Sequence, residues 1–239
     1  MEQFTTDALF DGQLLINQSR SGYRFSVDPV ILSHFASPPA GSRIIDLGTG
    51  CGIIPLILAH REPNLSITGI EIQGVLARFA RENRAKNNRD TTIEIVHMDM
   101  KDYPGAETLS QFDFVVTNPP YTKKNAGRLN PHSERAVARH EIKIILADIV
   151  KIASGLLKDQ GRFVTIIPEA RLNELLFLMT ASGLNPEKTR LVYSKKGDRP
   201  KLVLVCGIKN GKKPLVKEKP LNILDASGQY TPEMELMLR

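Results

Sequence analysis

The sequence predicts an α/β fold built on an open, doubly wound and mostly parallel sheet that ends in an antiparallel C-terminal hairpin. Three observations predict it. Short runs rich in Ile and Val alternate with longer segments of helical period, the pattern of a parallel sheet covered on both faces. A glycine-rich turn follows the first of these runs, and two late strand-like runs are joined by a link too short for a crossover helix. The 239 residues, 41% of them hydrophobic, suffice for one domain with a buried core.

In chain order, residues 1–42 read as an N-terminal extension. Asp28-Pro29 has the form of an N-cap followed by proline at the first helical position, with Val30, Ile31, Leu32 and Phe35 behind it, so a short helix is expected before the sheet. Pro38-Pro39-Ala40-Gly41 then breaks the chain. The core, residues 43–210, holds candidate strands at Arg43 to Leu47, Ser66 to Ile70, Ile93 to His97, Phe112 to Thr117 and Arg162 to Pro168. Helical period covers Ile53 to Arg61, Gly74 to Asn88, Ala136 to Leu157 and Glu169 to Ser182, the last closed by Gly183 and Asn185-Pro186. Lys188 to Ser194 and Lys201 to Lys209 form the hairpin. Residues 211–239 are a basic tail expected to be irregular or partly mobile, and the chain as a whole reads as a single domain.

Composition excludes several classes of protein. No window approaches eighteen uninterrupted apolar residues, and the start carries neither a basic leader nor an apolar run, so neither a membrane span nor a secretory signal is expected. Cys51 and Cys206 stand far apart with no partner at metal-ligand spacing, and His34, His60, His97 and His132 are equally isolated. Neither a disulfide framework nor a metal is expected, and the chain reads as cytoplasmic. Net charge is +6, and Lys195 to Lys219 alone holds nine Lys or Arg against Asp198 and Glu218. Such a concentration suits RNA or DNA, because each neutralised phosphate releases counterions, although a solvated surface has the same composition.

The run Asp46-Leu47-Gly48-Thr49-Gly50-Cys51-Gly52 leaves a strand and enters a helix. Glycines let the backbone approach a ligand there, and the acid two positions ahead would repel a diphosphate but suits an ammonium group. Alone, the triplet also fits a tight turn with no ligand. Glu71 ends the second strand, where a carboxylate can accept both hydroxyls of a ribose. Asp99 and Met100 follow the third, placed to receive an exocyclic amine and, through a backbone N–H, a ring nitrogen. Three acids at strand ends along one crevice point to an adenosine-containing ligand.

Asn118-Pro119-Pro120-Tyr121 follows the fourth strand. Each proline restricts the residue before it to extended dihedrals, so the turn is stiff and its carbonyls are fixed in direction. The Asn118 side-chain oxygen and the Pro119 carbonyl can accept both hydrogens of a planar NH₂, while Tyr121 offers a stacking face of about 1 to 3 kcal/mol for a base. An amide or arylamine nitrogen is a poor nucleophile because its lone pair is delocalised. Fixed acceptors aim that lone pair and stabilise the charge that grows on nitrogen. A methyl sulfonium is the matching electrophile, since the transfer disperses positive charge and needs no strong base.

These motifs together resemble those of class I S-adenosylmethionine-dependent methyltransferases that act on planar amino or amide nitrogens. The resemblance implies a Rossmann-like seven-stranded sheet with a reversed last strand, and S-adenosylmethionine as cofactor. It implies that Asp46, Gly48 and Gly50 hold the methionine moiety, Glu71 the ribose, and Asp99 with Met100 the adenine. It puts Asn118, Pro119 and Tyr121 at the target nitrogen.

Gly22 to Leu32, Ala138-Arg139-His140-Glu141, Pro220-Leu221-Asn222-Ile223 and Tyr230-Thr231 extend the resemblance to the bacterial tRNA (adenine-N6)-methyltransferase family acting on valine tRNA beside the anticodon. That implies tRNA or another structured RNA as partner, with adenine N6 as target. Pro120, Lys123, Lys124, Arg139, Lys195 and Lys196 are the candidate substrate contacts, and Arg24, Phe25, His140 and Glu141 are weaker ones. Relatives with the same tetrapeptide methylate glutamine in release factors, guanine N2 in ribosomal RNA, or adenine in DNA, and a non-catalytic RNA-binding scaffold is a further alternative. The release-factor enzymes carry an added N-terminal helical domain, for which the forty residues ahead of the sheet are short. DNA enzymes usually need a separate recognition region.

Overall fold

The computed structural model describes residues 4–19, 26–103, 111–120 and 146–239. The chain opens with a hairpin, β1 (Phe4–Leu9) and β2 (Leu14–Ser19), paired antiparallel with Leu9 opposite Leu14. Asp11-Gly12 between apolar residues is the hairpin signal in the sequence here. Its tip turns through positive φ at Phe10, Asp11 and Gly12, which glycine and aspartate tolerate best.

Helix α1 (Asp28–Ala36) begins at Asp28 rather than being capped by it; Val27 stands at the cap position, with no side-chain bond. The core then follows the expected alternation: β3 (Arg43–Leu47), α2 (Ile53–Arg61), β4 (Ser66–Glu71), α3 (Gly74–Lys86), β5 (Ile93–His97) and β6 (Phe112–Thr117). After α4 (Leu146–Leu156) come β7 (Leu157–Pro168), α5 (Leu172–Ala181), β8 (Leu184–Lys195) and β9 (Leu202–Lys209). Ile44 and Ile45 of β3 are both fully buried although they face opposite ways, as a strand covered on both faces requires. Helix α2 is buried along Ile53 to Ala59, so its lack of a polar face reflects a wholly internal position.

Strand order places β5, β4, β3, β6, β7, β9 and β8 side by side, all parallel except β9. These seven match the expected sheet, but the sheet has nine strands. Beyond β8, β10 (Val216–Lys217) and β11 (Leu221–Leu224) add parallel to it, and helix α6 (Pro232–Leu238) follows. The tail is therefore ordered, contrary to expectation. Leu221 and Met234 are fully buried within it. Strands of two and four residues leave no periodicity to read, whereas Thr231-Pro232 did carry a helix-start signal, and the Thr231 hydroxyl accepts from Met234 N. Asn185-Pro186 closes no helix. Both residues lie in β8 at a register shift before Lys188, where a residue lacking an N–H is tolerated.

One core joins α1, α2, α3, α6 and the N-terminal hairpin on one face of the sheet; the other joins α4 and α5. No described helix is long and apolar enough to cross a membrane.

Candidate active site

The chain passes from β3 to β4 and β5 on one side, then crosses back to place β6 on the other, so a crevice opens at the carboxyl end of β3. Every described site residue predicted around the tetrapeptide and the three acids gathers there. Thr117 Oγ1 donates to Leu47 O at 2.7 Å, tying the end of β6 to that of β3. Asp46 pairs with Val116, so two residues further on Gly48 and Asn118 leave the sheet at the same level. Asn118 is partly buried, Pro119 buried and Pro120 exposed. Tyr121, Lys123, Lys124 and Arg139, with Arg24, Phe25, His132, His140 and Glu141, lie outside the described residues.

The glycine turn is fastened from below. Gly48 N and Thr49 N both donate to Ile70 O, at 2.9 and 2.8 Å. Gly48, Gly50 and Gly52 all have positive φ, and a Cβ on Gly52 would stand 3.2 Å from Ala80 Cβ of α3. Gly69, in the middle of β4, is part of the same device. It pairs with Asp46, and a Cβ there would lie 2.9 Å from Thr49 Oγ1. An isolated glycine within a strand is the usual sign of such a close approach.

Asp46 lies fully buried beneath this turn, and neither carboxylate oxygen has a hydrogen-bond partner among the described residues. Burial pushes its carboxyl up to about 7; the nearby Thr49 hydroxyl opposes the rise and Glu71 adds to it. A buried, unpartnered acid is costly. Its charge acts on whatever lies above the turn through a low-dielectric wall, which favours a cation there.

Glu71 has a second task that spacing did not reveal. Its Oε2 accepts from Gly50 N and its Oε1 from Gln73 N, both at 2.8 Å, so it clamps the turn to the start of α3. Burial raises its pKa and these backbone donors oppose the rise. A carboxylate has about four lone-pair sites, so acceptor capacity remains beside the Gly50, Gln73 and Ile72 donors. Ile72 beside it is 42% exposed, a large apolar side chain left uncovered at the crevice. Asp99 caps the 3₁₀ turn Met100–Asp102 by accepting from Lys101 N at 3.0 Å. The Met100 methyl reaches back to within 3.9 Å of where a Gly48 Cβ would stand.

The N-terminal hairpin is built into this site through one amide. Asn83 of α3, fully buried, accepts from Asn17 N (2.7 Å) and donates to Asn17 O (2.9 Å) and to Cys51 O (3.0 Å). It therefore joins β2 to the glycine turn.

Lys195 and Lys196 sit on the β8–β9 turn at the same carboxyl edge, three strand spacings from β6, ~14 Å. The basic cluster read as one segment is thus divided. Lys195, Lys196, Arg199 and Lys201 lie on the crevice edge, while Lys209, Lys212, Lys213 and Lys217 lie toward the opposite edge. Cys51 and Cys206 are both buried free thiols.

The family model described as the methyltransferase small domain matches residues 28–176. The chain belongs to that family. This methyltransferase is 35% identical over 196 residues to the tRNA1(Val) (adenine(37)-N6)-methyltransferase of Porphyromonas gingivalis, covering 79% of this chain and 76% of the relative. It is 29% identical to the protein of the same name from Bacteroides thetaiotaomicron, over 95% of this chain and 93% of that one. A crystal structure from Agrobacterium tumefaciens, described as a predicted O-methyltransferase, shares the fold at a TM-score of 0.71 and 21% identity, covering 88% and 94% of the two chains. The donor set of this methyltransferase fits a cationic adenosine derivative. Beneath the turn stands an orphaned acid, and beside it are a second acid with acceptor capacity and an uncovered apolar side chain.

Proposed function

We infer that this methyltransferase transfers a methyl group from S-adenosylmethionine to the exocyclic N6 of an adenine in tRNA. The adjacency of the Gly48 turn and Asn118-Pro119 across one pair of parallel strands carries the reading, and the names of its relatives support the substrate class. The donor, when bound, supplies a methyl carbon on cationic sulfur. Asp46, Gly48 and Gly50 seat its methionine end, Glu71 takes the ribose hydroxyls, and Asp99 with Met100 and Ile72 holds the adenine. Asn118 Oδ1 and the Pro119 carbonyl accept the two protons of the target amine. This keeps the lone pair out of the ring plane and stabilises charge developing on nitrogen. Tyr121 supplies the stacking face. Pro120, Lys123, Lys124 and Arg139 flank the swung-out base, Lys195 and Lys196 meet the RNA from the neighbouring turn, and the enzyme works in the cytoplasm.

The test is to incubate the protein with labelled donor and total tRNA from a strain lacking the gene, then digest to nucleosides. Label in N6-methyladenosine is expected. Label confined to N2-methylguanosine, or appearing in protein glutamine when release factor is supplied in place of RNA, would overturn the reading.

A further inference from the structure

Four cations of the segment Lys195 to Lys219 stand together on the crevice edge, whereas its other exposed lysines, Lys212, Lys213, Lys217 and Lys219, lie along the strands beyond it. Lys195, Lys196, Arg199 and Lys201 are all exposed, and none takes part in an ion pair among the described residues. Toward the other edge Lys188 meets Glu218, Arg190 meets Glu233 and Lys213 meets Glu187.

An exposed aromatic ring stands beside the unpaired group. Leu224 of β11 pairs with Lys195 on one side and with Tyr230 on the other, and Tyr230 is 41% exposed. Its backbone is held firmly. In the preceding turn Asp225 Oδ1 accepts from Ser227 N (2.8 Å), Ser227 Oγ (2.6 Å) and Gln229 N (3.1 Å). Just after it Thr231 N donates to Ile223 O (3.0 Å) and Thr231 Oγ1 to Asn222 O (2.8 Å). The two turns touch, since Lys195 Nζ would lie 3.7 Å from a Cβ on Gly228. Of the acids on this edge, Asp225 is occupied by its own turn, which leaves Asp198 and Glu169, whose N–H donates to Lys201 O at 3.0 Å, against four cations.

We propose that this edge is a second RNA contact, on which an unpaired base stacks on Tyr230 while neighbouring phosphates pair with Lys195, Lys196, Arg199 and Lys201. An exposed ring on a firmly held backbone, flanked by exposed cations, is the chemistry that grips single-stranded RNA without reading its sequence. β11 lies four strand spacings from β6, ~19 Å, so the contact is separate from the Asn118 pocket and engages a different nucleotide of the same loop. The proposal rests on the tRNA reading above.

The experiment measures binding of two synthetic RNAs, a hairpin with an adenine-containing loop and a blunt duplex of the same stem, together with tRNA methylation kinetics. Tyr230→Ala should weaken hairpin binding roughly 5- to 100-fold, leave duplex binding unchanged, and raise KM for tRNA at constant kcat; Tyr230→Phe should restore all three. Lys195→Glu with Lys196→Glu should weaken both RNAs and lower the salt slope by about 1.4 to 1.8, which keeps the proposal open to refutation if Tyr230→Ala does not fold. Wild-type affinity in Tyr230→Ala, equal losses on hairpin and duplex, or an unchanged salt slope would each overturn it. Should the wild-type protein methylate tRNA while these variants behave normally, only the second contact falls. If it methylates no RNA, the tRNA reading falls first.

Discussion

The two ends of the same sheet solve their electrostatics in opposite ways. Toward the amino end, the cations around the cavity are matched with acids: Arg162 with Glu187 at 3.6 Å, Lys188 with Glu218 at 3.6 Å, Arg190 with Glu233 at 2.6 Å and, nearby, Lys158 with Asp113 at 2.7 Å. A cavity of about 300 Å³ lies among Arg162, Lys188, Arg190 and Cys206, yet each of its three cations already has an acid, so it is poorly suited to bind an anion. At the carboxyl end, among the described residues, Asp46 has no hydrogen-bond partner and the cations of the β8–β9 turn have no ion pair. A buried unmatched charge such as that of Asp46 is costly unless a ligand completes it, whereas exposed lysines with no ion pair among the described residues, such as Lys212 and Lys217 toward the amino end, cost little. The buried unmatched acid and the clustered cations therefore mark the working edge, while the cavity of about 300 Å³ lies elsewhere.

The sharpest way to break this comparison is at Asn118. Asn118→Ala removes one of the two acceptors for the target amine, and kcat for tRNA methylation should fall about 10²- to 10³-fold with donor affinity nearly unchanged. Single-turnover kinetics with labelled donor measure it. A loss seen only in KM would assign Asn118 to binding rather than to the chemical step.

Asp46→Asn tests the unmatched acid. Unfolded, this carboxyl ionises near 3.8, and folded at about 7. Between those values the folded protein holds the extra proton, so the acid's contribution lowers stability as pH rises from about 4 to 7, and the full penalty is present above that. Removing the charge should raise unfolding free energy at pH 8 by about 2–4 kcal/mol, with the gain shrinking toward pH 5, while donor affinity falls at least tenfold. Denaturant titrations at the two pH values, with donor calorimetry, separate the effects. A variant destabilised at pH 8 would show that Asp46 is structurally satisfied.

Much of this edge was legible in the sequence, for a physical reason. Strands buried on both faces and turns that approach a ligand closely each force a narrow choice of residues, so Asp46 to Gly52 and Asn118 to Pro120 announced their places. Glu71 was legible as a position but not as a clamp, because its bonds to Gly50 and Gln73 depend on how two strand ends meet. Non-local pairing hid the rest. β10 and β11 are too short to show a period, and the segment Lys195 to Lys219 reads as one charge cluster only when counted along the chain, since the strand expected from Lys201 to Lys209 already parts its two ends.

Asn83 is the counter-case at the site end, a buried polar group with every bond made. Asn83→Ala should cost about 1–3 kcal/mol of unfolding free energy by leaving the Asn17 N–H and carbonyl unpartnered. It should also raise KM for the donor, because the Cys51 carbonyl loses its anchor. Urea titration and donor kinetics measure the two. A stability loss with donor KM unchanged would confine Asn83 to holding the hairpin.

The smallest effect sharpens the comparison most directly, because it sets one lysine from each end of β8 against the other. The ion pair of Lys188 with Glu218 is largely exposed, with 43% and 35% of the side chains accessible, so Lys188→Ala should change stability by no more than about 1 kcal/mol. Lys195→Ala should change it less still, since Lys195 pairs with no acid among the described residues. Their RNA affinities should diverge the other way: Lys188→Ala binds hairpin RNA like the wild type, while Lys195→Ala loses a few-fold in affinity and about 0.7 to 0.9 of salt slope. If both lysines weaken RNA equally, pairing with an acid is no guide to which cations meet phosphate, and the contrast between the two ends has no functional content.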